Sequence, residues 1–588
     1  MERKIFRLGG FLQVYFLNGI RRAVTIVAMI GIATATAPVF GKTAAKQPQP
    51  ASESALLLGD YLSARIARDD HDFKTAAPLM LKVWGSERDN PQYSHDTLLL
   101  VIAAGDFPGA IEVARTVPVD SGDASLASLV LTVDDFVNGR FAAVVTKLSA
   151  AHTQGLDRYT APLLMAWAQV GQGHKAEALA ALAPLDALPG TSEVNALQSA
   201  MIAEAVGEKP KAADYYEKIL DGKPSARAII VAAQFYRRQG EFDRARAAIE
   251  RLDPDGASAS LRTEMLMHLT DKALIPAALD ARTGASDTLF EVAASLSGQP
   301  KADIAPLLYT QLALHLKANF PAAQLLLSEI DQRFGRLDDA VAVLLAIDEK
   351  SELRSTALRD AMAMLEKDGD GDKAIKLGKS AIQAHPQDID LLLSYADLLR
   401  IKSHFSEAIA AYDLALTKIT ATSNRRGIAL YHRGIAYQEM KQWPQAEADL
   451  LAALKLRPDD PGLLNYLAFS WADQGINLDR ARTMLDRAVQ LVPDDGAIVD
   501  SLGWVMFRAG DYAEAVKQLE RAVSLDADDA TINDHLGDAY WFNGRQIEAR
   551  SQWEKAARMT QDKTLEQQIR KKLRDGLDES SLPRHAAN

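Results

Sequence analysis

An all-α fold is predicted for this 588-residue chain: a right-handed superhelical solenoid of about 14 helix-turn-helix repeats, closed by a C-terminal capping helix. Three observations carry the prediction. First, "DSLGWVMFRAGDYAEAVKQLERA" (500–522) and "NDHLGDAYWFNGRQIEARSQWEKA" (533–556) nearly repeat each other at an offset of 34 residues, pairing Leu502–Gly503 with Leu536–Gly537, Gly510 with Gly544, Ala515 with Ala549, Leu519 with Trp553 and Ala522 with Ala556. Second, a small residue at the start of every second helix can be followed along the chain: Ala76, Ala110, Val144, Ala178, Ala212, Ala245, Ala305, Ala340, Ala374, Ala408, Ala446, Ala481, Ala515 and Ala549. Third, Gly at the inter-helix turns and Pro after the second helices punctuate the period.

In chain order, residues 1–41 read as a signal peptide or signal-anchor. A basic stretch ending in Arg21-Arg22 leads into the apolar run "AVTIVAMIGIATATAPVFGK", with small residues Ala35, Ala37 and Gly41 near its end. About 18 apolar residues are marginal for crossing a ~30 Å hydrocarbon core and suit a cleaved signal. The long basic region before them suits a retained anchor through residues 23–40. Residues 42–54 are a Pro- and Gln-bearing linker. Residues 55–253 form an N-terminal segment of divergent repeats. At 254–285 the period breaks, and this stretch is expected to be an irregular joint between two solenoid segments and the first place a protease cuts. Residues 286–560 form the C-terminal repeat segment. In 561–575, Leu565, Ile569 and Leu573 make one apolar stripe. Arg570, Lys571, Lys572 and Arg574 are assigned to a basic outer face, as a capping helix requires. Residues 576–588 are a tail.

Small residues have a steric reason to recur. Two antiparallel helices joined by a short turn approach closely only where side chains are small. Ala515 is therefore expected to face Gly503, and Ala549 to face Gly537, with Leu519 and Trp553 filling the groove against the next repeat. "RGIAYQEMKQWPQAEADLLAALKLRP" (433–458) supplies Gly434, Tyr437, Ala446, Leu450, Ala453 and Pro458; the next unit supplies Leu467, Trp471, Ala481, Leu485, Ala488 and Pro493. This pattern resembles the tetratricopeptide repeat, most closely over 360–560. The last two repeats depart from it at the closing Pro, with Ala527 and Gln561 there. The C-terminal half is similar to tetratricopeptide proteins of proteobacterial envelopes, some of which present substrates to C-terminal processing proteases. The absence of a lipid-anchor Cys departs from the lipoprotein adaptors of that type.

Composition bounds the function. At 48% hydrophobic and 24% charged residues, most of the chain should fold. The formal charge is −12; the first 41 residues hold five Lys/Arg and one Glu, so the rest stands at −16. Such a surface argues against a general nucleic-acid binder, which needs basic groups to replace counterions. With no Cys, disulfides and thiolate nucleophiles are excluded. "DGDGD" (368–372) falls where the repeat needs a turn, and Lys373 and Lys379 stand where a calcium loop needs Gly and Glu. "GKT" (41–43) lacks the upstream Gly of a phosphate loop, and neither HExxH nor GxSxG occurs. The expectation is a non-enzyme with no cofactor and no metal.

Chemistry is expected instead on the inner face of the first helices. Helical spacing turns Asp500, Trp504, Phe507 and Arg508 inward in one repeat and Asp534, Asp538, Trp541 and Phe542 in the next. Upstream, Tyr431 and Phe469 take the corresponding places, with Asn465 and Asp473 nearby. Aromatics edged by carboxylates suit a peptide-binding groove that prefers basic partner residues. The same rings also suit packing between repeats. The predicted function is an exported, periplasmic scaffold or adaptor binding a protein or peptide partner, a processing protease or its substrates among them. The alternative is an inner-membrane-anchored factor organising an envelope biosynthesis complex.

Overall fold

The computed structural model describes residues 53–150, 156–188, 192–253, 258–298 and 304–578. The segment 1–52, on which the export expectation rests, lies outside them, as do residues 579–588. Among the described residues there are 30 α-helices and no strand. They run as successive antiparallel hairpins, from Glu53–Asp69 with Phe73–Ser86 to Ala530–Phe542 with Gln546–Met559. No described helix is long and apolar enough to cross a membrane. The chain divides into two compact units between Ser403 and His404.

The small-residue register holds. Thirteen of the fourteen positions, Val144 included, are 0% exposed; the exception is Ala305, half-buried in the first turn of the helix Ala305–Leu316. The partner expected for the glycines needs correction. A Cβ on Gly503 would lie 2.6 Å from Leu519, and one on Gly537 would lie 2.5 Å from Trp553. Each glycine therefore makes room for the bulky residue of its own hairpin rather than for Ala515 or Ala549. Gly510 and Gly544 close their turns at φ +85° and +81°, where any side chain would be strained. "DGDGD" is likewise a turn between Arg354–Lys367 and Gly371–Ala384. The second Asp of "RPDD" and "VPDD" has a further use. Asp460 accepts from Leu463 N at 2.9 Å, and Asp495 accepts from Ala497 N at 2.9 Å and Ile498 N at 3.1 Å. Each acidic pair thus ends one repeat and caps the first helix of the next.

In the first unit the stretch 254–285 proves to be a joint of another kind. It contains the short helix Ala259–Met267, a 3-10 turn at Lys272–Leu274 and the start of the helix Ala281–Ser297; residues 254–257 lie outside the described residues. It does not divide the core, because one buried apolar cluster runs from Ala64 to Ile330 and includes Met265 and Leu269. Its turns are held by Arg237, itself 1% exposed, whose guanidinium donates to the carbonyls of Leu269 (3.2 Å), His268 (3.1 Å) and Leu274 (3.2 Å) and pairs with Glu352.

Beyond the joint the chain returns to its own beginning. Ala281–Ser297 packs on Asp157–Gln172, and Ala305–Leu316 packs on Pro91–Ala104 and Ala124–Val137. Phe107 stacks on His315 (centroids 3.8 Å apart, 15° between planes) and His71 on Phe334 (4.4 Å, 8°). Lys74 pairs with Asp339 at 2.5 Å. Gly284 allows the closest approach: a Cβ there would lie 2.1 Å from the Trp167 indole. Around it a buried polar chain is satisfied. Trp167 Nε1 donates to Gln198 (2.8 Å), Gln198 to Asp287 (3.3 Å), and Arg227 pairs with Asp287 and with Glu291 (3.1 Å). The inward side chains Trp167 and Gln198 are thus occupied by the unit's own helix.

Candidate functional site

The predicted inner-face residues of the C-terminal unit lie on four consecutive first helices. Tyr431 is on Asn424–Glu439 and Phe469 on Pro461–Gln474; Asp500, Trp504, Phe507 and Arg508 are on Gly496–Arg508; Asp534, Asp538, Trp541 and Phe542 are on Ala530–Phe542. Four rings come together around one residue that spacing alone did not select, His535. Its imidazole stacks on Trp504 (4.1 Å, 18°) and lies 6.4 Å from Phe469. Trp504 stacks in turn on Phe507 (4.9 Å, 20°), and Phe507 meets Phe542 at 5.7 Å. Tyr431 stands apart on Tyr466 (5.7 Å). Trp541 faces the other way, 5.3 Å from Trp553. At the 34-residue offset His535 answers to Ser501 and not to Asp500, so the period itself carries no signal for the histidine.

The three carboxylates do not edge an open groove, which corrects the expectation drawn from helical spacing. Asp500, Asp534 and Asp538 are each 5% exposed, and Arg508 and Phe507 are buried as well. Asp500 holds His535 Nδ1 at 3.0 Å from both its oxygens. Burial alone would lower the histidine pKa, but Asp500, with Asp534 and Asp538 behind it, outweighs burial and holds it above the ordinary value. Arg508 donates to the Asp473 carbonyl at 2.7 Å.

Lys572 accounts for the other two carboxylates. Its ammonium lies 2.8–2.9 Å from both oxygens of Asp534 and 2.7–2.8 Å from both of Asp538. Asp538 also accepts from Trp553 Nε1 at 2.9 Å. Burial pushes the Asp538 carboxyl up, against the pull of Lys572, because one lysine cannot neutralise two buried carboxylates. Lys572 is therefore not on the outer face of the cap Lys563–Asp575 but turned beneath it, beside fully buried Ile569. Trp541 closes the same end, donating from Nε1 to Leu577 O at 2.7 Å. The basic group opposite Asp534 and Asp538, expected on a partner, is the chain's own Lys572.

Residues 503–544 match the family described as "TPR repeat", and residues 197–260 and 431–497 match the one described as "Tetratricopeptide repeat". These three segments are tetratricopeptide repeats. Repeats of this kind make the chain a protein-protein interaction scaffold. It is 29% identical over 158 residues to the TPR repeat-containing protein PA4667 of Pseudomonas aeruginosa, an alignment covering 27% of this tetratricopeptide-repeat chain and 26% of that relative. It thus spans about a quarter of that relative's length. Among solved structures, a tetratricopeptide repeat protein from Parabacteroides merdae is 20% identical over 42% of this chain and 96% of its own, with a TM-score of 0.35. Yeast Tom70 is 13% identical over 89% of this chain and 96% of its own, with a TM-score of 0.34.

Proposed function

We propose that this tetratricopeptide-repeat protein is an exported, non-enzymatic adaptor of the cell envelope that captures a segment of a partner protein along the inner face of its C-terminal unit. One observation carries this reading. The half-buried rings Tyr431, Phe469 and Trp504 recur on three successive first helices, while the carboxylates deeper in the stack are taken up by the protein itself. Two buried polar atoms on these helices, Asn465 Oδ1 and Trp504 Nε1, have no hydrogen-bond partner among the described residues. An acceptor and a donor in want of partners, next to apolar rings, suit a peptide backbone and its side chains. Asp473, exposed beside them, favours a basic residue on the partner.

Tyr431→Ala with Phe469→Ala is expected to weaken capture at least thirtyfold, since a lost aromatic anchor commonly costs about 2 kcal/mol or more. Crosslinking pull-down from the native envelope identifies the partner, and titration with that partner reads the loss. Circular dichroism and the melting temperature should stay near those of the unaltered protein. Unchanged capture by the double variant would remove the inner face from the mechanism. On this reading the partner is a C-terminal processing protease or one of its substrates, in keeping with the resemblance to envelope adaptors.

Export is read from the basic start and the apolar run at 23–40. Mass spectrometry of the native protein is expected to find a mature N-terminus after about residue 35–41. The long basic region before that run favours a second reading, an inner-membrane-anchored assembly factor, which predicts intact Met1 in the membrane fraction. Intact Met1 in a soluble cytoplasmic fraction would overturn both.

A further inference from the structure

Three carboxylates are buried on two neighbouring first helices of the C-terminal unit: Asp500 on Gly496–Arg508, and Asp534 and Asp538 on Ala530–Phe542. A buried carboxylate is tolerated where a cation stands beside it. Lys572 serves Asp534 and Asp538. Burial would lower its pKa, but those two carboxylates outweigh burial and hold the ammonium above its ordinary value, so it stays charged. Asp500 has a different neighbour. Among the described residues His535, 3.0 Å away, is its one ion-pair partner, and the flanking helices add no other. Arg508 donates to the Asp473 carbonyl, and the Asp473 side chain is exposed. Around Tyr512–Leu525 and Gln546–Met559 the pairs Glu514–Lys517, Glu520–Arg545 and Glu548–Arg545 lie at the surface.

A histidine carries its charge only while it holds its second proton. Nδ1 faces both Asp500 oxygens and donates to them in either state, so the proton that comes and goes is on Nε2. With it the cluster of Asp500, Asp534, Asp538, Lys572 and His535 holds one net negative charge, and without it two. The same ring lies beneath two of the proposed anchors. Trp504 stacks on it at 4.1 Å and Phe469 stands 6.4 Å away. A charged imidazole against an indole adds a cation–π attraction that the neutral ring lacks. We propose that His535 is a proton switch for this face: protonated, it locks Ala530–Phe542 to Gly496–Arg508 through Asp500 and sets Trp504, and deprotonated it loosens that lock. Burial would lower the histidine pKa, but Asp500 outweighs it and the folded value lies above the ordinary one. The stabilisation is therefore whole below about pH 6.5, the unfolded value, and is lost as pH rises through the folded value. Asp538, pushed up to about 6 by burial, acts in the same direction at lower pH. The consequence for capture, anchors set in acid and loosened above neutral pH, rests on the proposed function.

The test is made on the full chain without a partner. Histidine ¹³C NMR identifies the His535 resonance as the one missing from His535→Asn. In the unaltered chain it is expected to titrate above about pH 6.5. In Asp500→Asn the same resonance should titrate below that value, since burial then acts unopposed. The gap in melting temperature between the unaltered chain and His535→Asn should close by roughly 2–4 °C as pH rises from about 6 to about 9. This pH dependence is what a merely packed histidine would not show. A His535 resonance that titrates at or below the ordinary value in the unaltered chain overturns the switch, and so does a gap that stays constant with pH. Either result leaves capture standing. Unchanged capture by Tyr431→Ala with Phe469→Ala would instead remove the consequence for capture, while the titration still decides the switch.

Discussion

Arg237→Ala is expected to destabilise the N-terminal unit by about 3–5 kcal/mol, the cost of removing one partner of a buried, hydrogen-bonded charge pair. The guanidinium ties three carbonyls of the joint to Glu352. Burial already pushes the Glu352 carboxyl up, with Arg237 opposing, so loss of the arginine leaves that buried carboxyl without its counter-charge. The three carbonyls lose their donor as well and must find water. Lys272 is exposed in the 3-10 turn, and tryptic cleavage after it should accelerate on the order of a hundredfold where cutting proceeds through local opening. Denaturant titration supplies the free energy, and Arg251→Ala, on an exposed side chain, should change it by no more than about 0.5 kcal/mol. Equal behaviour of the two variants would show that the joint does not depend on its central arginine.

Lys572→Ala is expected to cost about 3 kcal/mol, felt at the C-terminal end of the array, because it strips the counter-charge from two buried carboxylates. The cap has little else to hold it. Ile569 is its one fully buried side chain, with Leu565 and Leu573 half-buried. Hydrogen exchange should rise across 563–575, and tryptophan fluorescence should shift as Trp541 loses its bond to Leu577 O. Lys571→Ala, one residue away but in solvent, should do almost nothing. Adding Asp534→Asn and Asp538→Asn to Lys572→Ala should return most of the lost stability, since the penalty is the unpaired charge. A cap that stays protected in Lys572→Ala would mean that apolar packing alone retains it.

Both predictions concern residues that a helical wheel treats incorrectly or passes over. The wheel puts Lys572 at the edge of the stripe Leu565–Ile569–Leu573 and so assigns it to the outside. It gives the direction of a Cα–Cβ bond, whereas a lysine's four-carbon stem can turn from the stripe's edge to carboxylates beneath the helix. The same wheel correctly turned Asp500, Asp534 and Asp538 inward but could not tell a groove from a packed seam. That distinction depends on residues of other helices: His535 of the next repeat for Asp500, Trp553 of the same hairpin and Lys572 of the cap for Asp538. Ala305, in the first turn of its helix and 60 residues after Ala245, packs on the apolar core but is only partly buried.

What the sequence by itself determined is everything with a period. The hairpins, the buried small residues, the turn glycines and the C-terminal cap are properties of about 34 residues and their immediate neighbours, and each repetition restates them. Tertiary structure alone decided where the array ceases to be linear. Helix Ala281–Ser297 enters the first unit against Trp167, and the chain beyond it reaches back to His71, Lys74 and Phe107. Those contacts join residues up to 265 apart, as Lys74 and Asp339 are. A linear repeat encodes its neighbours at a fixed offset, but a return contact has no offset to repeat, so it is settled only when the folded surfaces meet.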